Sequence, residues 1–385
     1  MLRPCLAACV LLLLPARALA DTLQVPKDFT TIQEAVDASN DGDTILVHAG
    51  TYAEAVLITD KTDLVLKAAG KVIVDPPGSS DGITLDGCNT CTVEKLRVTD
   101  AVNGVRLVDG FTCAILKCRI EQVSGLGVAL ENCNNCTVEK CVIDGAGTDG
   151  IGLGAGGTPP CQLGHIRKNK IFAPGDDGID VSGSNSIIEK NLVVDAGGNG
   201  YRSEHTPASA TTTFLKCKSV GSQHNGFDIN GSGHSIFFCT DVESVSNSLA
   251  CLLGTGTYQI LKLKSTKPGG DGILLEAGLV GSSITSCKVK APAADGFHIE
   301  ADTAVLSKNK VTAAGNDGFG VGGDGGFYEK NSAMGSTSDG FQLIGTGNEL
   351  SKNKAKGSKT GFDLNDQSVG GNIIDDDNTF GTTGP

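Results

Sequence analysis

From residue 81 onward the chain alternates apolar and polar residues in short bursts that return at a nearly fixed interval. In the stretch 168–191, a turn at Asp177-Gly178 is followed by Ile179, Asp180, Val181 and Ser182, apolar and polar in strict alternation. The Lys168-Asn169 dipeptide that opens the stretch returns 22 residues later as Lys190-Asn191. The Asn position recurs as Leu96, Cys118, Cys141, Asn169, Asn191, Cys217, Cys239, Leu263, Cys287, Asn309, Asn331 and Asn353. Each is followed 8 or 9 residues later by a second marker, almost always Gly, from Gly104 to Gly361.

Alternation with period two, cut by DG and NG turns, predicts short half-buried strands. A repeat of about 22 residues cannot bury its own inward side chains, so successive repeats must stack. The pattern therefore predicts an all-β, single-stranded parallel solenoid of about 12–14 coils. One inward column is expected to read Ile179, Tyr201, Phe227, Leu249, Ile273, Phe297, Phe319, Phe341 and Phe362, and another to run from Val181 to Leu364. Stacked Asn amides can donate and accept along the axis, making an asparagine ladder, with Cys as a small buried substitute.

The ends differ from the repeat. Thr31 and Glu34 form a capping box for a short helix over 32–38, which is expected to cover the first layer. Residues 21–52 read as this cap and a first strand, and 372–385 as a partial coil and tail, within one domain spanning 21–385. Before it, Arg3, the apolar run 6–14 and Ala18-Leu19-Ala20 read as a signal peptide over 1–20, cleaved near Ala20. The expected location is secreted, periplasmic or extracellular. No other stretch is long and apolar enough for a membrane span.

Composition sharpens this picture. The chain holds 53 Gly and no Trp among 385 residues, and its formal charge of −13 becomes −15 once Arg3 and Arg17 are removed. An acidic chain without a clustered basic stripe argues against nucleic acid as a partner, and mildly against a polyanion held by charge alone. Of 14 Cys, 12 lie beyond the signal peptide, and their place in the repeat predicts core stacking, with a few disulfides left open. The pairs Cys88-Cys91 and Cys133-Cys136 fall two layers apart, about 9–10 Å, too far for one zinc. A monomer is expected.

The repeats KNKVTAAGNDGFGV (308–321) and EKNLVVDAGGNGYR (189–202) resemble generic parallel β-helix repeats. Over roughly residues 80–380 the chain is similar to the right-handed parallel β-helix, pectin lyase-like superfamily, which implies a right-handed coil. The opening FTTIQEAVDASNDGDTILVHAGTY (29–52) resembles the start of pectin methylesterases and of exported β-helix proteins. The Q-D-T-L-type turn, D-F-I-F-G strand and R-x-W motif of the methylesterases are absent. The segment 175–180, GDDGID, resembles the N-T-D-G-x-D of polygalacturonases, but their following D-D, G-H-G and R-I-K motifs are missing. Residues 224–226, HNG, are a distant counterpart of G-H-G.

The residue two after each Gly marker should point outward. That column ends at Asp363 and is mostly bland, except that Asp180, Arg202 and Asp228 fall on three adjacent coils. These are the candidate catalytic residues. Asp177, Glu204, His205, His224 and Asn230 stand nearby as candidate substrate-binding residues. The two longest connections, roughly 154–164 and 204–212, bracket Asp180 and could wall a groove. Two coils separate Asp180 from Asp228, about 9–10 Å of backbone, within side-chain reach of an inverting acid/base pair. Arg202 could hold a uronate carboxylate or act as the base of a lyase.

The same row also reads as an ordinary surface charge ladder, and Asp177 as a turn residue. No metal site or cofactor is assigned, although the Asp cluster offers oxygen ligands for Ca²⁺. Almost every aromatic falls in an inward column, with Tyr258 and Tyr328 the possible exceptions. The expected function is therefore an exported non-catalytic β-helix protein, glycan-binding or associated with the cell envelope. The alternative is a hydrolase or lyase on an acidic, uronate-containing polysaccharide.

Overall fold

A computed structural model describes residues 20–154, 161–204, 211–231, 233–251 and 256–384. The expected signal segment, up to residue 19, lies outside the described residues.

Each turn contributes three short strands, as in Ile179–Val181, Ser186–Glu189 and Leu192–Val194, and every pairing between layers is parallel. One face is a sheet of 15 strands, running from Val56–Thr59 to Thr383–Gly384. The other two faces count as one 29-stranded sheet, because Thr44–Tyr52 and Val65–Val74 bend continuously around the corner between them. The result is a parallel β-solenoid of about fifteen turns. The expected 12–14 coils fall short because Val56–Thr59 and Thr383–Gly384 add a layer at each end. The helix Ile32–Ala38 is capped as expected: Thr31 Oγ1 accepts from Glu34 N at 3.1 Å, and Ile32, Ala35 and Val36 are buried.

Both marker columns have steric and hydrogen-bonding causes. A Cβ on Gly178 would lie 2.4 Å from Gly200 O and 2.3 Å from a Val193 methyl, so the next layer excludes any side chain there. Inside, Asn309 Nδ2 donates to Asn331 Oδ1 at 3.0 Å, and Asn331 Nδ2 donates to Asn353 Oδ1 at 3.1 Å. Each amide also bonds main chain: Asn331 Oδ1 accepts from Asn309 N at 3.0 Å, and its Nδ2 donates to Leu306 O at 2.9 Å. The twelve cysteines from Cys88 to Cys287 are buried and free. Inward aromatics stack, with Phe297–Phe319 and Phe319–Phe341 centroids 4.8 and 4.6 Å apart.

Three expectations need correction. The last coil is shifted by two residues: Leu364 pairs with Phe341 and Asn365 with Gln342, while Phe362 is 39% exposed. Gly361 is demanded by close approach to Asp339 rather than by the strand start, since a Cβ there would lie 2.2 Å from Asp339 Oδ1. An even slip keeps each side chain on its own side of the sheet, so the pattern alone could not expose it. Tyr258 and Tyr328 are fully buried, and Tyr258 Oη donates inward to Gly231 O at 2.9 Å. The third concerns basic residues. The corner before each Asn/Cys marker lies in the left-handed region, at φ +56° for Lys190, +56° for Lys262 and +59° for Lys308. Lysine holds most of these corners, so residues far apart in the chain form the basic column that the linear sequence conceals.

One interior column breaks the apolar rule. Where neighbouring layers place Val193 and Val289, three successive layers place Ser219, Asp241 and Ser265. Asp241 is fully buried; Ser244 donates to its Oδ2 at 2.9 Å while Oδ1 has no hydrogen-bond partner. Burial pushes its carboxyl up to about 7, opposed by the Ser244, Ser248 and Ser219 hydroxyls.

Two predictions follow from this packing. Asn331→Ala strips partners from Asn309, Leu306 and Asn353 at once and is expected to cost about 3 kcal/mol or more in urea unfolding. Asp241 binds a proton more tightly folded than unfolded, so its contribution is complete at about pH 4 and lost as pH rises through about 7. Asp241→Asn is expected to remove that loss and to stabilise the protein at pH 8 by about 2–4 kcal/mol relative to wild type. Equal pH dependence in the two proteins would contradict this assignment.

Candidate functional site

The outward row on the 15-stranded face is in register across four layers: Gly152 pairs with Asp180, Asp180 with Arg202, and Arg202 with Asp228. Gly152 carries no side chain, so Asp180 has an empty neighbour on one side and a guanidinium on the other. Asp180 Oδ1 is buried and accepts no hydrogen bond. Burial, then the negative charge of Asp149, pushes its carboxyl up to about 7, while Arg202 pulls it down. Asp149 is also pushed up, to about 6, mainly by burial. Burial likewise raises Asp228, against the pull of Arg202.

Arg202 is the hub. It pairs with Glu204, and its Nη1 stands 3.8 Å from Asp177 Oδ2. Asn230 Nδ2 donates to Asp228 Oδ1 at 3.1 Å. Arg202, Asp177 and Glu204 thus form one ion-paired group, Asp228 and Asn230 a second, and strand register sets Asp180 and Asp228 on the two sides of Arg202. His224 is exposed at the turn, where its N–H donates to Gly198 O at 3.0 Å, and its ring joins no recorded contact in either group. His205 and most of the two long connections lie outside the described residues.

Asp177 has a structural task that recurs along the solenoid. Asp177 N donates to Asp149 Oδ1 at 2.9 Å, and Asn199 N donates to Asp177 Oδ1 at 2.6 Å. The same link continues through Asn225, Asn247, Asp271, Asp295, Asp317 and Asp339. From Asp149 to Asp339 each side chain before a marker accepts the next layer's backbone N–H, whereas Leu126, before Gly127, interrupts the series. Only Asp177 Oδ2 remains for Arg202. The repeated DG and NG dipeptides carry this signal, although a turn reading alone does not reveal the axial ladder.

Two groups place potential metal-ligating atoms within 4.8 Å of one another among the described residues: Asp149, Asp176 and Asp177, and separately Asp271, Asp295 and His298. The second lies three layers beyond Asp228, beside an open cavity of about 450 Å³ lined also by Leu274, Glu276 and Glu300. His298 Nδ1 is 3.6 and 3.5 Å from Asp271 Oδ2 and Asp295 Oδ2, and Nε2 is 3.1 Å from Glu300 Oε1. Asp271 and Asp295 belong to DG turns that recur along the chain, so nothing in the sequence singled them out as partners of His298.

A family model described as a right-handed beta helix region matches residues 38–163 and 81–242, together more than half of the chain. The chain belongs to this right-handed β-helix family. A cell surface glycoprotein of Methanothermus fervidus is 31% identical over 107 residues, covering 27% of this chain and 18% of that protein. The chain thus matches less than a fifth of that relative's length. Among solved structures, the Streptococcus pneumoniae surface adhesin PfbA aligns with TM-score 0.56 at 10% identity, covering 84% of this chain and 92% of that one. The Azotobacter vinelandii mannuronan C-5 epimerase AlgE4 A-module aligns with TM-score 0.52 at 14% identity, covering 89% and 94%. At such identities the two structures share the fold alone. No helix among the described residues is long and apolar enough to cross a membrane.

The charge balance at Asp180 is open to direct measurement. Arg202→Ala removes the positive charge that lowers its pKa, so the Asp180 carboxyl should titrate above its wild-type value of about 7 in carbon-13 NMR. A value unchanged or lower would show that the two groups do not interact.

Proposed function

We propose that this is an extracellular glycan-binding β-helix protein, exported after cleavage near Ala20, with its binding face on the row Asp180, Arg202 and Asp228. The observation that carries the reading is the register of the outward row, in which Arg202 stands on the strand between those of Asp180 and Asp228. Such a row presents donors and acceptors at intervals of about 4.8 Å, suited to the hydroxyls of a sugar chain lying along the axis. The likeness to a cell surface glycoprotein supports the location.

A second reading is favoured by one specific feature. A carboxyl raised to about 7, unpartnered and beside an arginine, is what a general acid needs at neutral pH. In that reading Asp180 and Asp228 act as the acid/base pair on an acidic glycan, and Arg202 holds a uronate carboxylate. Asp149, Asp176 and Asp177 would supply oxygen ligands if the reaction uses Ca²⁺.

One experiment separates the readings. The purified protein is assayed on pectate, alginate and neutral glycans, with and without Ca²⁺, for binding, for new reducing ends and for unsaturated uronates. Binding without turnover, weakened about tenfold or more by Arg202→Ala, is the expected result. Turnover abolished by Asp180→Asn establishes the enzymatic reading. Binding or turnover that survives Arg202→Ala and Asp228→Ala places the site elsewhere.

A further inference from the structure

We propose that the lysine-lined corner between Lys216 and Lys310, with Phe238 within it, is a separate binding surface for a linear anionic polysaccharide of the polyuronate class. It lies on the two joined faces of the solenoid, away from the sheet that carries Asp180, Arg202 and Asp228. It does not rest on the function proposed for that row.

The first observation is a change in charge balance along one corner. In alternate early turns a glutamate (Glu94, Glu139, Glu189) ends the strand before the corner, with Leu116 and Arg167 between them, and each glutamate pairs with corner lysines: Lys117 Nζ is 2.8 Å from Glu94, and Lys168 Nζ 3.1 Å from Glu139. In late turns Glu329 does the same for Lys330. Between Glu189 and Glu329 the register at this position reads Leu215, Phe237, Leu261, Thr285 and Ser307. The glutamates are gone, yet the lysines remain.

The second observation is a like-charge ladder. Lys264, Lys288 and Lys310 are directly paired on three successive strands, all exposed, about 4.8 Å apart. Lys216, Lys262 and Lys308 line the adjoining corner, also exposed. None of these six forms an ion pair among the described residues. Like charges directly opposite each other on neighbouring strands destabilise a sheet, and an external polyanion removes that repulsion.

The third is Phe238. It occupies a corner position that lysine holds in most turns, at φ +59°, and is 42% exposed. The left-handed region is unfavourable for a bulky residue, and its one recorded ring contact is Lys262 Nζ, 5.0 Å from the ring centroid. An exposed aromatic flanked by ammonium groups suits the apolar face of a pyranose whose carboxylate meets the lysine.

The geometry points to a polysaccharide rather than to nucleic acid. The lysines form a straight row with roughly one charge per layer of about 4.8 Å, close to the advance of an extended glycan per sugar. Duplex phosphates wind away from a straight row, and the net charge of −13 opposes polyanions held by charge alone.

The test is calorimetric titration of the full exported chain with oligogalacturonate, with a neutral oligosaccharide and with a short DNA duplex, each at low and raised salt. The variants are Lys264→Ser/Lys288→Ser/Lys310→Ser, Phe238→Ala and, as a control lysine outside the corner, the exposed Lys359→Ser. The six lysines are solvent-facing, and circular dichroism checks that the triple variant is folded. Oligogalacturonate should bind in a salt-dependent way. The triple variant should weaken it by about tenfold or more and reduce the salt slope by roughly two to three. Phe238→Ala should weaken the uronate, and Lys359→Ser should leave it unchanged. Absence of uronate binding, or equal binding by the triple variant, would falsify the proposal. Duplex DNA binding as tightly as the uronate, and insensitive to Phe238→Ala, overturns the choice of partner.

Discussion

Everything in this molecule depends on the axial contact between one layer and the next. Backbone bonds between parallel strands set the spacing, and three kinds of side chain reinforce it. Glycine at the second marker lets layers approach where any Cβ would collide with a carbonyl. Asparagine inside the core bonds both to its neighbour and to main chain. From Asp149 to Asp339, the aspartate or asparagine before each marker accepts the next layer's N–H at the outer edge. Because each coil leans only on its neighbours, a defect propagates locally and stability is nearly a sum over layers.

The same constraint turns sequence period into surface chemistry. A residue type that recurs at one phase of the repeat becomes a column about 4.8 Å apart, whether or not it is useful there. Columns that are uniform, such as the inward aromatics, belong to the scaffold. Function is to be sought where a column changes character. The outward row changes at Asp180, where a half-buried carboxylate stands between Gly152 and Arg202. The corner changes after Glu189, where the glutamate that recurred in alternate turns no longer appears for five layers while lysines persist. The interior changes at Ser219–Asp241–Ser265, where a carboxylate enters an apolar tube. The first two breaks are solvent-facing and available to ligands, and the third is sealed and acts on stability.

Much of this was legible in the chain. Alternation and period predicted strands, stacking and the outward row, and the observed register joins Asp180, Arg202 and Asp228 as the spacing required. The capping box at Thr31 and Glu34 was legible because its signal is local. The final coil was misplaced because a shift of two preserves the polarity pattern, and only the Asp339 contact distinguishes Gly361 from a strand marker. Tyr258 was misread because its hydroxyl finds a carbonyl inside the tube, which composition cannot foresee. The group of Asp271, Asp295 and His298 was missed because its aspartates belong to the repeated DG turns, and only the stacking of two layers brings both to His298.

By itself, then, the sequence determined the layer. A repeat of about 22 residues with period-two alternation leaves a parallel solenoid as the arrangement that buries each coil and satisfies its backbone. What only the tertiary structure decided is which residues meet across layers. Glu94 and Lys117 pair over 23 residues of chain, Lys264 and Lys288 over 24. Such distances carry no weight in a linear reading, yet one rise of the coil reduces each to a single strand spacing. Charge that looks dispersed along the chain is therefore concentrated in space, and an acidic protein presents a basic edge.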